Sequence, residues 1–366
     1  MSRRRPESPP FAPRGRGAAG NPRNRFERLD VEPDLDALDD ELAERQDGEQ
    51  PSVATEILRD GTRTILAHND SPDLGFDTSI NPYRGCEHGC SYCFARPTHE
   101  YLGFSAGLDF ETRILVKEDA PALLRRELES PRYRPRVIAL SGVTDPYQPL
   151  ERRLRITRGC LEVLAEKRNP VVIVTKNRLV ARDADLLAEL ARHDAAHVML
   201  SLTTLDDELA RRMEPRTSSP RNRLRAIEEL RAAGVPCGVL VAPVIPAIND
   251  HEIPRILEAA RAAGAVNAGW VLLRLPHGVK ELFDDWLQRH HPERRDKVLG
   301  RLRETRDGAL YRADFFRRQH GTGAYAEQLA ALFELHRRKL GLLGRGAGLS
   351  VAAFRRGGEE QLSLLQ

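Results

Sequence analysis

The chain has 366 residues, 40% hydrophobic and 30% charged, enough apolar material for one barrel-sized core with appendages. Its 57 Lys and Arg against 54 Asp and Glu leave a net charge of +3, which gives little long-range pull toward nucleic acid. Five cysteines, three of them crowded between positions 86 and 93, argue against a disulfide framework and for a metal site in a reducing compartment, the cytoplasm.

Residues 1–50 divide into a Pro/Gly/Arg half ending at Arg28 and an acidic half holding Asp34, Asp36, Asp39, Asp40, Glu41 and Glu44. Neither has strong hydrophobic periodicity, so a disordered tail, basic and then acidic, is expected. The Arg-rich start lacks the apolar core of an export signal, and no apolar run along the chain approaches the roughly 20 residues that span a bilayer, so no membrane association is expected. From 51 to 78 an N-terminal extension is expected, with Ile57-Leu58 and Ile65-Leu66 pairing as a hairpin about Asp60-Gly61.

Further on, short apolar runs alternate with helical patterns: Val137 to Leu140, Val171 to Val174, Val198 to Leu202, Val239 to Val241 and Val271 to Leu273. They lack polar alternation, as parallel strands buried on both faces do. Helix signals lie between them, such as Ser219 before Pro220, a cap and first-turn pair, with Gly234 as the stop. Adding a first strand just before Cys86 gives six βα units. The predicted fold is therefore α/β, a partial (β/α)6 TIM-like barrel over 79–276, with right-handed crossovers and chemistry at the C-terminal ends of its strands. Residues 277–345, with Leu282, Phe283 and Trp286 in one pattern and Leu329, Leu332 and Phe333 in another, read as a C-terminal helical cap, and 346–366 as a flexible tail.

The decisive stretch is Asn81-Pro-Tyr-Arg-Gly-Cys86-Glu-His-Gly-Cys90-Ser-Tyr-Cys93. Three thiolates on one glycine-rich loop suit three irons of a cubane and leave the fourth without a protein ligand. The alternative is a zinc ion on the same thiols, with His88 or His99 as fourth ligand, in a non-catalytic nucleic-acid-binding or scaffold protein.

Cys-x3-Cys-x2-Cys after a first strand, with an aromatic residue before the third cysteine, resembles the signature of the radical S-adenosylmethionine (SAM) superfamily. The resemblance implies a [4Fe–4S] cluster on Cys86, Cys90 and Cys93, and SAM cleaved reductively to a 5′-deoxyadenosyl radical that abstracts hydrogen from substrate. It also implies an electron donor of flavodoxin or ferredoxin type. By the same resemblance Tyr92 lies along the adenine. Ser141, Gly142 and Asp145 form a second contact motif, Lys176 binds the SAM carboxylate, and Ser201 or Thr203 meets the ribose or methionine. The stretches Asn81 to Cys86 and Asp145 to Glu151 resemble the spore photoproduct lyase-like branch, which implies nucleic acid as a candidate substrate; Arg152, Arg153 and Arg155 near the barrel mouth agree with it. Cys160, on the apolar face of a helix, and Cys237, at a strand start, read as inert buried thiols.

Overall fold

The computed structural model describes residues 12–27, 53–344 and 348–357. Its strands are β1 (Glu56–Arg59), β2 (Leu66–His68), β3 (Thr78–Ile80), β4 (Tyr83–Arg84), β5 (Arg113–Val116), β6 (Ile138–Leu140), β7 (Val171–Thr175), β8 (Ala196–Ser201), β9 (Cys237–Val244) and β10 (Asn267–Leu272). The α-helices are α1 (Leu108–Thr112), α2 (Ala120–Glu129), α3 (Glu151–Leu154), α4 (Ile156–Lys167), α5 (Ala184–Ala191), α6 (Asp207–Met213), α7 (Pro220–Ala232), α8 (Ile253–Ala262), α9 (Val279–His290), α10 (Arg295–Glu304) and α11 (Ala324–Lys339).

The main sheet runs in the order β10-β9-β8-β7-β6-β3-β2. From β3 to β10 every neighbouring pair is parallel, and β2 lies antiparallel on the outer edge of β3. These are the six strands of the expected partial barrel. Each apolar run becomes a strand because helices cover one face and the barrel interior the other; Ile138, Ala139 and Leu140 are buried in succession. The exposed edge of β10 is partly covered by the chain's own C-terminal region: Leu272 N–H donates to the Gln319 carbonyl at 2.7 Å, and Asn267 bridges Leu343.

The expected hairpin over 57–66 does not form. Strand β1 instead pairs in parallel with β5, in a small sheet ordered β1-β5-β4, while β2 joins the main sheet. The reason lies at Asp60. Its carboxylate accepts from Arg84 Nε at 2.7 Å and Thr62 N–H at 3.0 Å, and its own N–H donates to the Val116 carbonyl at 2.9 Å. The chain is thus led from one sheet to the other rather than reversed.

Residues 12–27, expected as part of a disordered tail, are packed onto the barrel. Arg16, Ala18, Ala19 and Asn24 are buried, and the segment is tied to Glu111, Asp109, Glu100 and Phe104. The acidic stretch from Asp34 to Glu44 lies outside the described residues, as do the last residues of the tail. The helical cap forms from α9, α10 and α11. Phe283 and Trp286 stack at 5.5 Å in a cluster that includes Cys90, Tyr92, Met213, Leu273 and Leu275, so the cap shares its core with the cysteine loop. Each such large apolar side chain contributes about 1.5–3 kcal/mol on burial.

Candidate active site

The three cysteines sit on the loop that leaves β4. Gly85 and Gly89 have φ of +83° and +66°. A Cβ at Gly85 would lie 2.9 Å from the Phe110 carbonyl oxygen, and one at Gly89 2.7 Å from Glu111 Oε2, so only glycine fits either place. Neighbouring elements fix the loop backbone. Cys86 N–H donates to the Phe110 carbonyl at 2.9 Å, the Thr144 hydroxyl to the Gly85 carbonyl at 2.6 Å, Glu87 N–H to Gln148 Oε1 at 2.9 Å, and Ser91 N–H to the Met213 carbonyl at 3.0 Å. Arg96, buried with Glu111 at 2.5 Å, donates to the Cys90 carbonyl at 2.8 Å.

All three thiols are free; Cys86 and Cys90 are buried and Cys93 half-buried. Burial pushes each thiol up, and Cys86 feels the charge of both Cys90 and Cys93. Three soft donors held in one electrostatic neighbourhood fit a cluster that takes one thiolate on each of three irons. A single-ion site fits less well. Among the described residues no group of three His, Cys, Asp or Glu is arranged around one ion. Both ring nitrogens of His88 are engaged, Nδ1 with Asp145 at 3.3 Å and Nε2 with Asn177 at 3.1 Å, and His99 Nε2 faces the Arg113 carbonyl at 2.9 Å.

Beside the loop, four of the expected residues converge where β7, β8 and β9 end. Lys176 Nζ donates to the Ala242 carbonyl at 2.8 Å and to the Thr203 hydroxyl at 3.2 Å, and lies 5.7 Å from the Tyr92 ring centre. Tyr92 donates its hydroxyl to Glu214, which also accepts from Thr203 at 2.6 Å and pairs with Lys176 at 3.3 Å and with Arg223. Burial alone would raise the Glu214 carboxyl, but Arg223, Lys176 and these hydrogen bonds outweigh it and hold it well below the usual carboxylate range. The Tyr92 phenol is driven up by burial and by Glu214. Arg223 donates to the Ser201 carbonyl at 3.0 Å, so the fourth residue, Ser201, joins through its backbone.

The residues of the second motif are held by partners within the protein. Asp145 accepts from the Thr175 hydroxyl at 2.7 Å, Lys176 N–H at 2.9 Å and Tyr147 N–H at 2.9 Å, and pairs with His88. Although burial opposes it, His88 and these donors hold the carboxyl below its ordinary value. Through these partners Asp145 links the end of β7 to His88 of the cysteine loop. Gly142 N–H is likewise taken, donating to Asn81 Oδ1 at 2.9 Å, and the Ser141 hydroxyl turns back to the Thr144 carbonyl.

Arg96, Glu111, Glu214 and Arg223 are not among the site residues expected from the sequence. Nor is Asn249, which donates to the Thr203 and Pro243 carbonyls at 2.7 and 3.0 Å and joins the ends of β8 and β9. No local pattern marks such residues.

Comparison with known proteins agrees with the site. Residues 80–260 match the family "Radical SAM superfamily". An uncharacterised protein of Mycobacterium tuberculosis is 42% identical over 233 residues, covering 63% of this chain and 67% of that protein. The radical SAM Nα-GlyT isomerase of Pseudomonas phage M6 is 27% identical over 185 residues, covering 50% of this chain and 36% of that one. Among solved structures, a spore photoproduct lyase variant superposes with a TM-score of 0.50 at 17% identity, covering 78% of this chain and 79% of that one; the likeness is one of fold. Enzymes of this superfamily use a [4Fe–4S] cluster and SAM and draw an electron from a reducing donor. Thiol loop, barrel and family match together place the chain: it belongs to the radical SAM superfamily and is an enzyme of it.

Proposed function

We propose that Cys86, Cys90 and Cys93 each hold one iron of the [4Fe–4S] cluster. With SAM on the remaining iron, one-electron reduction supplies a 5′-deoxyadenosyl radical that takes hydrogen from the substrate. The observation that carries this reading is the position of the three thiols, on a braced loop beside the polar group of Tyr92, Lys176, Thr203 and Glu214. Lys176 presents its ammonium, fixed by the Ala242 carbonyl, to the SAM carboxylate. Glu214 keeps that ammonium oriented and neutralises part of its charge. Tyr92 forms a wall for the adenine, Thr203 and Ser201 meet the ribose or methionine, and Asp145 is a positioning residue.

Nucleic acid is the substrate class this reading favours. Arg152 and Arg153 on α3 and Arg155 at its end are exposed, and no ion pair to an acid is formed by them among the described residues. The electron donor is of flavodoxin or ferredoxin type, and the compartment the reducing cytoplasm; no helix among the described residues is long and apolar enough to cross a membrane.

The test is anaerobic purification with iron and sulfide analysis, then dithionite reduction with SAM and chromatography for 5′-deoxyadenosine. The nucleoside is expected from the native chain and not from Cys86→Ala. Zinc without iron would overturn the reading. For the substrate class, affinity for a DNA oligonucleotide should fall steeply with salt; a flat response would remove nucleic acid.

A further inference from the structure

At the end of β10 the polypeptide continues through Leu273 and Arg274, with Leu273 N–H bonded to the Val244 carbonyl at 2.9 Å. Arg274 is half-buried and its guanidinium lies 4.8 Å from the ring centre of Phe94, the residue after Cys93. It makes no hydrogen bond and no ion pair with any described residue, and its Nε is shut away from solvent without a partner. A second guanidinium stands close by. Arg306, just past α10 and only 2% exposed, donates to the Leu273 carbonyl at 3.2 Å and to the Arg317 carbonyl at 2.8 Å. Its Nε is also buried and unpartnered, and no described carboxylate pairs with it.

Burying one unpaired guanidinium is costly, and placing a second beside it adds repulsion. Burial and the charge of Arg274 push Arg306 down to about 10, still well above neutral pH. Nearby acids are committed elsewhere: Asp73 to Arg318, and Asp307 to Arg312 at 3.5 Å. An arrangement of this kind is stabilised by an oxyanion, because guanidinium forks match the oxygens of a phosphate or carboxylate. Phe94, 46% exposed, supplies a flat apolar surface at the same place.

We propose that Arg274 and Arg306 form an oxyanion site that holds a phosphate or carboxylate group of the substrate beside the cysteine loop. Its assignment to substrate rests on the radical reading above, but anion binding itself does not. A substrate anchored there carries a planar or apolar portion against Phe94.

The experiment is titration of the full-length protein with inorganic phosphate and, separately, with acetate, followed by calorimetry, for the native chain and three variants. Arg274→Gln removes the half-exposed guanidinium, which makes no hydrogen bond or ion pair with any other described residue, and should weaken phosphate binding about tenfold or more. Arg306→Lys keeps the charge but loses the fork, and should weaken it by less; it also guards against misfolding of a neutral substitution at a buried site. Arg255→Gln, exposed on α8 and outside both proposed binding surfaces, is the control for bulk charge and should bind as the native chain does. Phosphate binding alone identifies a phosphorylated substrate group, and acetate binding alone a carboxylate. Absence of saturable binding for either anion, or equal losses in Arg255→Gln and Arg274→Gln, would overturn the site. Iron content and 5′-deoxyadenosine formation do not enter this titration, so its failure is distinguishable from failure of the enzymatic reading.

Discussion

Glu214→Gln tests whether the polar group beside the cysteine loop is a true buried ion network. In the native chain the Glu214 side chain is fully buried, between an Arg223 side chain 1% exposed and a Lys176 side chain 15% exposed. The amide keeps the shape but removes the charge, leaving two cations with no carboxylate. Breaking a buried pair in this way costs about 3–5 kcal/mol. At an m-value of about 3 kcal/mol per molar in urea, the midpoint falls by about 1–1.7 M. The assay is urea unfolding followed by far-UV circular dichroism, on iron-free protein so that cluster loss does not enter. The double variant Glu214→Gln with Arg223→Gln should cost less than the sum of the singles by about 0.5–3 kcal/mol, because each removes the other's unpaired partner. A midpoint shift below about 0.3 M in the single variant, or strict additivity in the pair, would refute the reasoning.

Cys93→Ala should lower bound iron from about four per chain to below one, since two thiols cannot retain a cubane; unchanged iron would remove Cys93 from the ligand set. Gly17→Val should destabilise the chain by about 1–3 kcal/mol and expose residues 12–27 to protease, because a Cβ at position 17 lies 1.7 Å from the Gly89 carbonyl oxygen. An unchanged digestion pattern would mean the segment is not docked there. His290 packs on Trp286, and burial, then Arg289, Arg212 and His291, push it down to about 4, while Asp285 opposes them. Its unfolded value is about 6.5, so the unfolded state binds the proton more readily. Stability from this group is complete above about pH 6.5 and is lost as pH falls toward about 4. His290→Gln should flatten the acid limb of a pH–stability curve in that window, and an identical slope in the variant would refute the assignment.

The barrel was legible because parallel strands covered on both faces are apolar on both, and short runs such as Val171 to Val174 alternate with helical patterns at the spacing of βα units. The thiol loop stood out in the sequence because Cys86, Cys90 and Cys93 fall within eight residues, with Gly85 and Gly89 among them and Tyr92 before the third. What stayed hidden shares a physical cause. Arg96, Glu111, Glu214 and Arg223 look in sequence like any solvated charge, and only partners far along the chain make them internal: Arg96 with Glu111 on α1, and Glu214 with Tyr92 across the barrel mouth. Residues 12–27 misled for the opposite reason. Proline, glycine and arginine mark disorder when nothing receives them, but here the Glu111 carboxylate accepts Gly17 N–H at 3.0 Å and Ala18 N–H at 2.9 Å. At Asp60-Gly61 the turn chemistry was read correctly as a break, but its destination depended on Arg84.

The Glu111 carboxylate serves two clients at once, the N-terminal segment through Gly17 and Ala18, and the cysteine loop through Arg96 and the Cys90 carbonyl. Docking of residues 12–27 and ordering of the cysteine loop therefore meet at one carboxylate, and any coupling between them is reciprocal. During synthesis the segment emerges long before Glu111 exists to receive it, so its seat is finished only once the chain has reached α1.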